Sequence, residues 1–261
     1  MQRLRDKVAI VTGASSGIGR AIAIGFAREG AKVACADLRK TARPEGYETD
    51  IQKDTDKVIH TAGGEAIFVK TDVTVGEEVA SLVRATVERY GRLDIMVNNA
   101  GVFTRLSPIH ETTEEEYDFT MKVNAKGVWH GCQQAIIQFL KQGNGGKIIN
   151  IVSIGGLVGL ANEPAYCASK GAVANLTRQL AIDYGPHRIN VNGICPNYLT
   201  TAMCRPYYDD PSICKMVEDA TPMQRWGSPE EIVGPAIFLA SSEADYVTGS
   251  MLIIDGGYTA R

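Results

Sequence analysis

Tyr166 and Lys170 stand at i and i+4 in the stretch Tyr166-Cys167-Ala168-Ser169-Lys170. On a helix this spacing puts both side chains on one face, where their polar tips can converge. A free tyrosine titrates near pH ~10 and exchanges protons poorly at neutral pH. An ammonium a few ångströms away favours the phenolate and moves the residue toward the range in which acid–base chemistry works. The pair alone is a common pattern, and a tyrosine and a lysine snorkelling from a helix would look the same. Its meaning depends on what the rest of the chain sets beside it.

A second pattern is Thr12-Gly13-Ala14-Ser15-Ser16-Gly17-Ile18-Gly19, which follows the β-branched run Val8-Ala9-Ile10-Val11 and precedes Ile18, Ala21, Ile22, Gly25 and Phe26 at helical spacing. Strand, glycine-rich turn and helix together aim backbone N–H groups and a helix N-terminus at a phosphate. The spacing is G-x-x-x-G-x-G, not the G-x-G-x-x-G of the general dinucleotide fingerprint. Asp37 closes the next strand, Lys32 to Asp37, at a distance beyond Gly19 that suits an acid on an adenosine ribose. A carboxylate there accepts hydrogen bonds from the 2′- and 3′-hydroxyls and repels a 2′-phosphate, favouring NAD over NADP. Arg39, close by, is a group that accommodates such a phosphate.

The elements that must position these residues alternate along the chain. Strand-like runs occupy Val8–Val11, Lys32–Asp37, Ala66–Val69, Leu93–Val97, Lys147–Val152, Ile189–Ile194 and Ser250–Asp255. Helical periodicity follows the glycine turn, resumes near Asp54–Ile59, and covers Glu77–Tyr90, Thr113–Leu140 (with polar interruptions at Asn124 and Lys126), the segment from Tyr166, and Pro229–Ala240. Strands alternating with helices imply an α/β chain with a doubly wound parallel sheet of seven strands covered on both faces. With no linker or composition shift, residues 1–261 form a single domain. Thr41–Thr55, with Pro44 and Gly46, reads as an inserted loop, and Pro196–Pro222 as irregular.

Composition excludes several functions. Lys+Arg 27 against Asp+Glu 30 gives a net charge of −3, which offers no general attraction to nucleic acid or an anionic membrane. No apolar run is long enough for a membrane span, and the N-terminus lacks a signal-peptide stretch. The six cysteines are scattered without metal-ligand spacing, so a cytoplasmic protein with reduced thiols and no metal is expected. Cys167 adjoins Tyr166 and is given no chemical role.

With these residues in place, the chain from Lys7 to Gly257 resembles the short-chain dehydrogenase/reductase family. The resemblance rests on the glycine turn, Asp72-Val73, Asn98-Asn99-Ala100-Gly101, Asn124, Ser153, Tyr166-x-x-x-Lys170 and the Pro196 segment. It implies a Rossmann fold, a nicotinamide cofactor and hydride transfer between an alcohol and a carbonyl. It also implies that Tyr166 is the general acid/base and that Lys170 lowers its pKa and holds the nicotinamide ribose. Ser153 would hydrogen-bond the substrate oxygen, and Asn124 would fix a water that completes a proton relay. Phosphates would lie on Gly13, Ser15, Ser16, Gly17, Ile18 and Gly19. Asp37 and Leu38 would take the adenosine ribose, with Asn99 beside it, while Asp72 and Val73 flank the adenine. Ala100, Gly101, Pro196, Leu199 and Thr201 would complete the cofactor contacts, Thr201 in preference to Thr200 at the carboxamide. A homotetramer paired through the long helices follows from the same resemblance.

One departure is Pro196-Asn197, where the family usually has Pro-Gly. It is either a tolerated turn substitution or a substrate contact. Substrate groups are expected from Ile154–Glu163, Phe103–Arg105 and Pro196–Pro222, with Ser153, Val158, Tyr166 and Asn197 as candidates. Most aromatic and methionine residues of the late segment read as lid packing, and Tyr198, Tyr207 and Trp226 are undecided. The mixture suits a small secondary alcohol, a polyol, a sugar or a cyclic ketone. The alternatives are a 3-oxoacyl-thioester reductase, against which Asp37 argues, and a catalytically idle nucleotide-binding scaffold.

Overall fold

Successive residues of β1 (Val8–Thr12) face opposite sides of a sheet, and both sides are apolar. Ala9 and Val11 join one core and Ile10 joins the other. A strand buried on both faces belongs in the middle of a covered parallel sheet. In the computed structural model, which describes residues 2–260, β1 lies between β2 (Lys32–Asp37) and β4 (Ile95–Asn98). Met1 and Arg261, the ends of the expected domain, lie outside the described residues. The remaining strands are β3 (Glu65–Lys70), β5 (Gly146–Ile151), β6 (Ile189–Pro196) and β7 (Met251–Ile254), in the order β3-β2-β1-β4-β5-β6-β7. All pairings are parallel. The connection reverses direction at β1, which opens a crevice at the carboxyl ends of β1 and β4.

The helices are α1 (Gly17–Arg28), α2 (Thr55–Thr61), α3 (Gly76–Tyr90), α4 (Glu114–Met121), α5 (Gly127–Gln142), α6 (Pro164–Tyr184), α7 (Arg205–Tyr208), α8 (Pro211–Ala220) and α9 (Glu230–Ala240). Ile22 and Phe26 of α1, Ile59 of α2 and Ile232 and Ile237 of α9 pack on one face of the sheet. Leu82 of α3, Val128, Ile136 and Phe139 of α5 and Val173 of α6 pack on the other.

Four differences from the sequence reading have local causes. The fourth strand begins at Ile95 rather than Leu93, because Asp94 turns its carboxylate onto the Val8 N–H (2.9 Å) and the Arg92 guanidinium. The helix carrying Tyr166 begins at Pro164, whose ring suits the first helical position. Residues 196–222 are not irregular throughout: α8 is started by Asp210, which accepts from the Ser212 and Ile213 N–H groups, and by Pro211. The polar interruption in the 113–140 helix is a π turn, Lys122–Lys126, closed by the Gly127 N–H on the Lys122 carbonyl.

A buried polar chain ties α6 to the sheet. Asn98 Nδ2 donates to Asn150 Oδ1 (2.9 Å), and Asn150 Nδ2 donates to Thr177 Oγ1 (2.8 Å). All three side chains are buried, so losing one partner strands the others at roughly 1–3 kcal/mol each.

Candidate active site

The end of β1 is stitched to the end of β4 through one side chain. Thr12 Oγ1 accepts from the Asn99 and Ala100 N–H groups (2.9 and 3.0 Å), and Asn99 Nδ2 returns a bond to the Thr12 carbonyl (2.8 Å). The two turns are thereby pressed together. A Cβ on Gly19 would come 2.2 Å from the Gly13 carbonyl oxygen, and Gly13 has φ +65°, so both positions require glycine. Asp37, at the end of β2, is fixed by the Ser15 N–H on its Oδ2 (3.1 Å).

A cavity of about 380 Å³ runs along these turns. Asp37, Leu38, Asp72 and Val73 line it, as do Ser16, Gly17 and Ile18, then Gly13, Asn99, Ala100 and Gly101, and Ser153, Tyr166, Lys170, Pro196, Asn197, Leu199 and Thr201. Ser15 and Gly19 are not in its wall; they shape the turn from behind. Thr200 is also outside, its hydroxyl donating to the Gly227 carbonyl (3.4 Å). Arg39, noted beside the ribose acid, and Met203, in the stretch expected around the substrate, are in the wall; Arg43, Thr71 and Cys204 join it without having been singled out as contacts of a ligand. The donor set fits a dinucleotide: an acid at one end, glycine N–H groups at the middle, and a lysine and a tyrosine at the other end.

The inserted loop reaches this site. Glu48 Oε1 accepts from the Gly17 N–H (2.5 Å), at the N-terminus of α1, and Glu48 Oε2 is buried without a partner among the described residues. The Arg43 N–H donates to Ser16 Oγ (2.8 Å). The loop is anchored by Arg20, 2% exposed, whose guanidinium donates to Asp50 Oδ1 (2.9 Å) and Thr55 Oγ1 (3.0 Å). On its other side Tyr47 meets Tyr208 edge to face (5.6 Å) and Arg205 stacks over its ring (5.0 Å).

At the far end, Tyr166, Ser153 and Lys170 share the cavity wall. Burial pushes the Tyr166 phenol well up, and the Ser153 hydroxyl pulls it part of the way back. The Lys170 ammonium is 5.7 Å from the centre of the Tyr166 ring, donates to the Ile151 carbonyl (2.8 Å), and is pushed down by burial to about 8. In this structure burial therefore outweighs the lowering of the phenol that the lysine was expected to bring. Asn124, fully buried in the π turn, accepts from the Val102 N–H (2.8 Å) and donates to the Val102 carbonyl (2.9 Å) and Ser169 Oγ (3.2 Å). A Cβ on Gly101 would lie 3.3 Å from Asn124 Oδ1 and 3.8 Å from Lys170 Nζ, so both side chains border Gly101.

A smaller cavity, about 50 Å³, opens behind Ser153 and Tyr166. Asn197 lines both cavities; its Nδ2 donates to Thr221 Oγ1 and the Asp255 carbonyl (3.2 Å each), and its Oδ1 is buried without a partner among the described residues. Val158 lines neither: the turn Ile154–Gly156 carries it outward, and it is 40% exposed. Tyr198 and Tyr207 line the smaller cavity, while Trp226 stands behind Tyr198 as a packing partner (5.4 Å). Among the described residues there is no cluster of three potential metal ligands, and no helix is long and apolar enough to cross a membrane.

A family model described as enoyl-(acyl carrier protein) reductase matches residues 13–259. The chain is 38% identical over 258 residues to a 2-dehydro-3-deoxy-D-gluconate 5-dehydrogenase of Dickeya dadantii (strain 3937), spanning 99% of this chain and 97% of that one. Among solved structures, a short-chain type dehydrogenase/reductase from Mycobacterium marinum superposes with a TM-score of 0.91 at 34% identity, over 100% of this chain and 98% of that one. A gluconate 5-dehydrogenase from Burkholderia cenocepacia J2315, solved in complex with NADP and tartrate, gives 0.90 at 32% identity over 100% and 98%.

Proposed function

The chain belongs to the short-chain dehydrogenase/reductase family of oxidoreductases, and we propose that it transfers a hydride between NAD and a small secondary alcohol or ketone such as a polyol, a sugar or a cyclic alcohol. The observation that carries this reading is the meeting of Tyr166, Ser153 and Lys170 on the wall of the same cavity that Asp37 borders. When bound, the nicotinamide supplies the hydride acceptor or donor. The chain's own groups do the rest. Tyr166 exchanges a proton with the substrate oxygen, and burial keeps that proton on the phenol in the unliganded protein. Ser153 stabilises charge on the same oxygen. Lys170 holds the nicotinamide ribose, and Asn124 fixes the segments around Gly101 and Ser169 against which Lys170 lies.

The preference for NAD rests on Asp37, whose carboxylate is held toward the ribose position by the Ser15 N–H. Arg39 and Arg43 border the same end and are the groups a 2′-phosphate would use. A 3-oxoacyl-thioester reductase gains no support from a β2 that ends in an acid. An idle scaffold would not need all four of Asn124, Ser153, Tyr166 and Lys170. Trp129, Ile137 and Leu140 project from one face of α5, exposed, and we take them as part of the contact surface of a cytoplasmic homotetramer.

The test is the absorbance of reduced nicotinamide with NAD or NADP against polyols, sugars, hydroxy acids and cyclic alcohols. Turnover with NAD is expected. Tyr166→Phe should lose turnover and keep NAD binding; a Phe variant that still turns over removes the role given to Tyr166.

A further inference from the structure

Glu163 is a carboxylic acid in the wrong kind of place for a surface charge. It is 4% exposed, three residues before Tyr166, and lines the smaller cavity behind the reacting hydroxyl. Two ordinary explanations for a buried acid fail here. Its side chain does not cap α6, although it occupies the position before the helix. It also forms no ion pair among the described residues, and no Lys, Arg or His lines this cavity. The partner of its side chain among the described residues is neutral: the Tyr198 hydroxyl donates to Glu163 Oε1 at 2.5 Å. Tyr198 is itself braced by the Trp226 ring. Burial pushes the Glu163 carboxyl up, and the Tyr198 hydroxyl opposes it.

The same wall holds a second acceptor. Asn197 must direct Nδ2 at the Asp255 carbonyl, which can only accept, and this leaves its Oδ1 buried and unpartnered. A pocket that presents a carboxylate and an orphaned amide oxygen selects a ligand that donates hydrogen bonds, because an unmet buried acceptor is costly. It repels a ligand that brings another carboxylate, because no cation is there to receive it.

We infer that Glu163, held by Tyr198, is a specificity-determining residue that accepts a hydrogen bond from a hydroxyl neighbouring the reacting carbon, so that the substrate is a neutral polyol or sugar and not a sugar acid. This rests on the dehydrogenase reading above and narrows its substrate class. It separates the chain from relatives whose names are those of gluconate and deoxygluconate dehydrogenases.

The experiment compares kcat/KM with NAD for a neutral alditol, the aldonate of the same carbon skeleton, and an unsubstituted cyclic alcohol, in the wild type, Glu163→Gln and Tyr198→Phe. The wild type should favour the alditol over the aldonate. Glu163→Gln should lower kcat/KM for the alditol by roughly tenfold to a hundredfold, mostly through KM, while narrowing the gap to the aldonate and leaving the cyclic alcohol within a few-fold. Tyr198→Phe should move the same ratios in the same direction by less. NAD binding, followed by fluorescence quenching, checks that each variant is folded; if Glu163→Gln is not, Tyr198→Phe carries the comparison. A wild type that prefers the aldonate, or variants with unchanged ratios, overturns the role of Glu163 and leaves the dehydrogenase standing. A wild type that oxidises the cyclic alcohol but neither sugar derivative does the same. Silence with every alcohol, despite NAD binding, overturns both readings.

Discussion

Removing the Glu48 carboxylate should tighten nucleotide binding. Glu48 Oε1 occupies the Gly17 N–H at the start of α1, the place where this fold receives a phosphate. One N–H cannot serve both anions, so the glutamate must leave before a pyrophosphate enters. A hydrogen bond to a charged group contributes about 1.5–3 kcal/mol. The buried, unpartnered Oε2 of Glu48 puts this contact at the low end. At about 1.5 kcal/mol the open form is a little under a tenth of the population, and the apparent dissociation constant is raised by roughly tenfold. Glu48→Ala should therefore bind NAD about tenfold more tightly by titration calorimetry, and Glu48→Gln should fall between it and the wild type. The loop stays anchored in these variants through Arg20–Asp50 and the Tyr47–Tyr208 contact. Affinity that is unchanged or weaker in Glu48→Ala would refute the competition.

Three further outcomes follow from the geometry. Asp37→Ala should relax the choice between NAD and NADP, and an unchanged ratio of the two affinities would remove Asp37 from the ribose site. Lys170 has a folded pKa of about 8, below its ordinary value near 10.5. The unfolded chain binds the extra proton between these values, so this residue makes stability rise with pH from about 8 to 10.5 and costs stability below 8. Lys170→Met should flatten that rise in urea titrations of the nucleotide-free protein; an identical slope would contradict the burial of the charge. Gly131→Ala would bring a Cβ within 1.9 Å of Asn98 Oδ1 and disturb the Asn98–Asn150–Thr177 chain, so it should destabilise the fold by about 1–3 kcal/mol, read as a lower urea midpoint. A midpoint within error of the wild type would mean that the chain can yield.

Local order was legible wherever burial imposes a period. β1 and β5 show as β-branched runs because both faces of the sheet are covered there, and the glycine turn shows because Gly13 and Gly19 permit nothing else. Tyr166, Lys170 and Ser153 are legible as a motif and share one cavity wall, whereas Asn124 lies behind that wall, bonded to Val102 and Ser169. Their environment was not legible: an i, i+4 spacing reports proximity, whereas the ionisation of Tyr166 depends on burial by elements far along the chain. Contacts between distant segments left no signature. Glu48 and Gly17 are 31 positions apart, and Glu163 and Tyr198 are 35. Val158 falls in the Ile154–Glu163 stretch expected around the substrate, but a single tight turn sends it outward. The start of α8 has a signature in Asp210-Pro211-Ser212, masked by the turn formers around it.

The π turn at Lys122–Lys126 has a consequence for chain length. It accommodates one residue more than an α-helix of the same rise, and each residue of an α-helix turns the next by about 100°. The surplus residue resets the phase between α4 and α5. Val128, Cys132 and Ala135 can then keep their places on the sheet while Asn124 faces Val102. Deleting one residue here would restore regular helical bonding and rotate everything upstream away from the site. Length in this helix is therefore a property under functional constraint. A redesign that sought only the most regular helix would remove the irregularity and, with it, the direction in which one amide points.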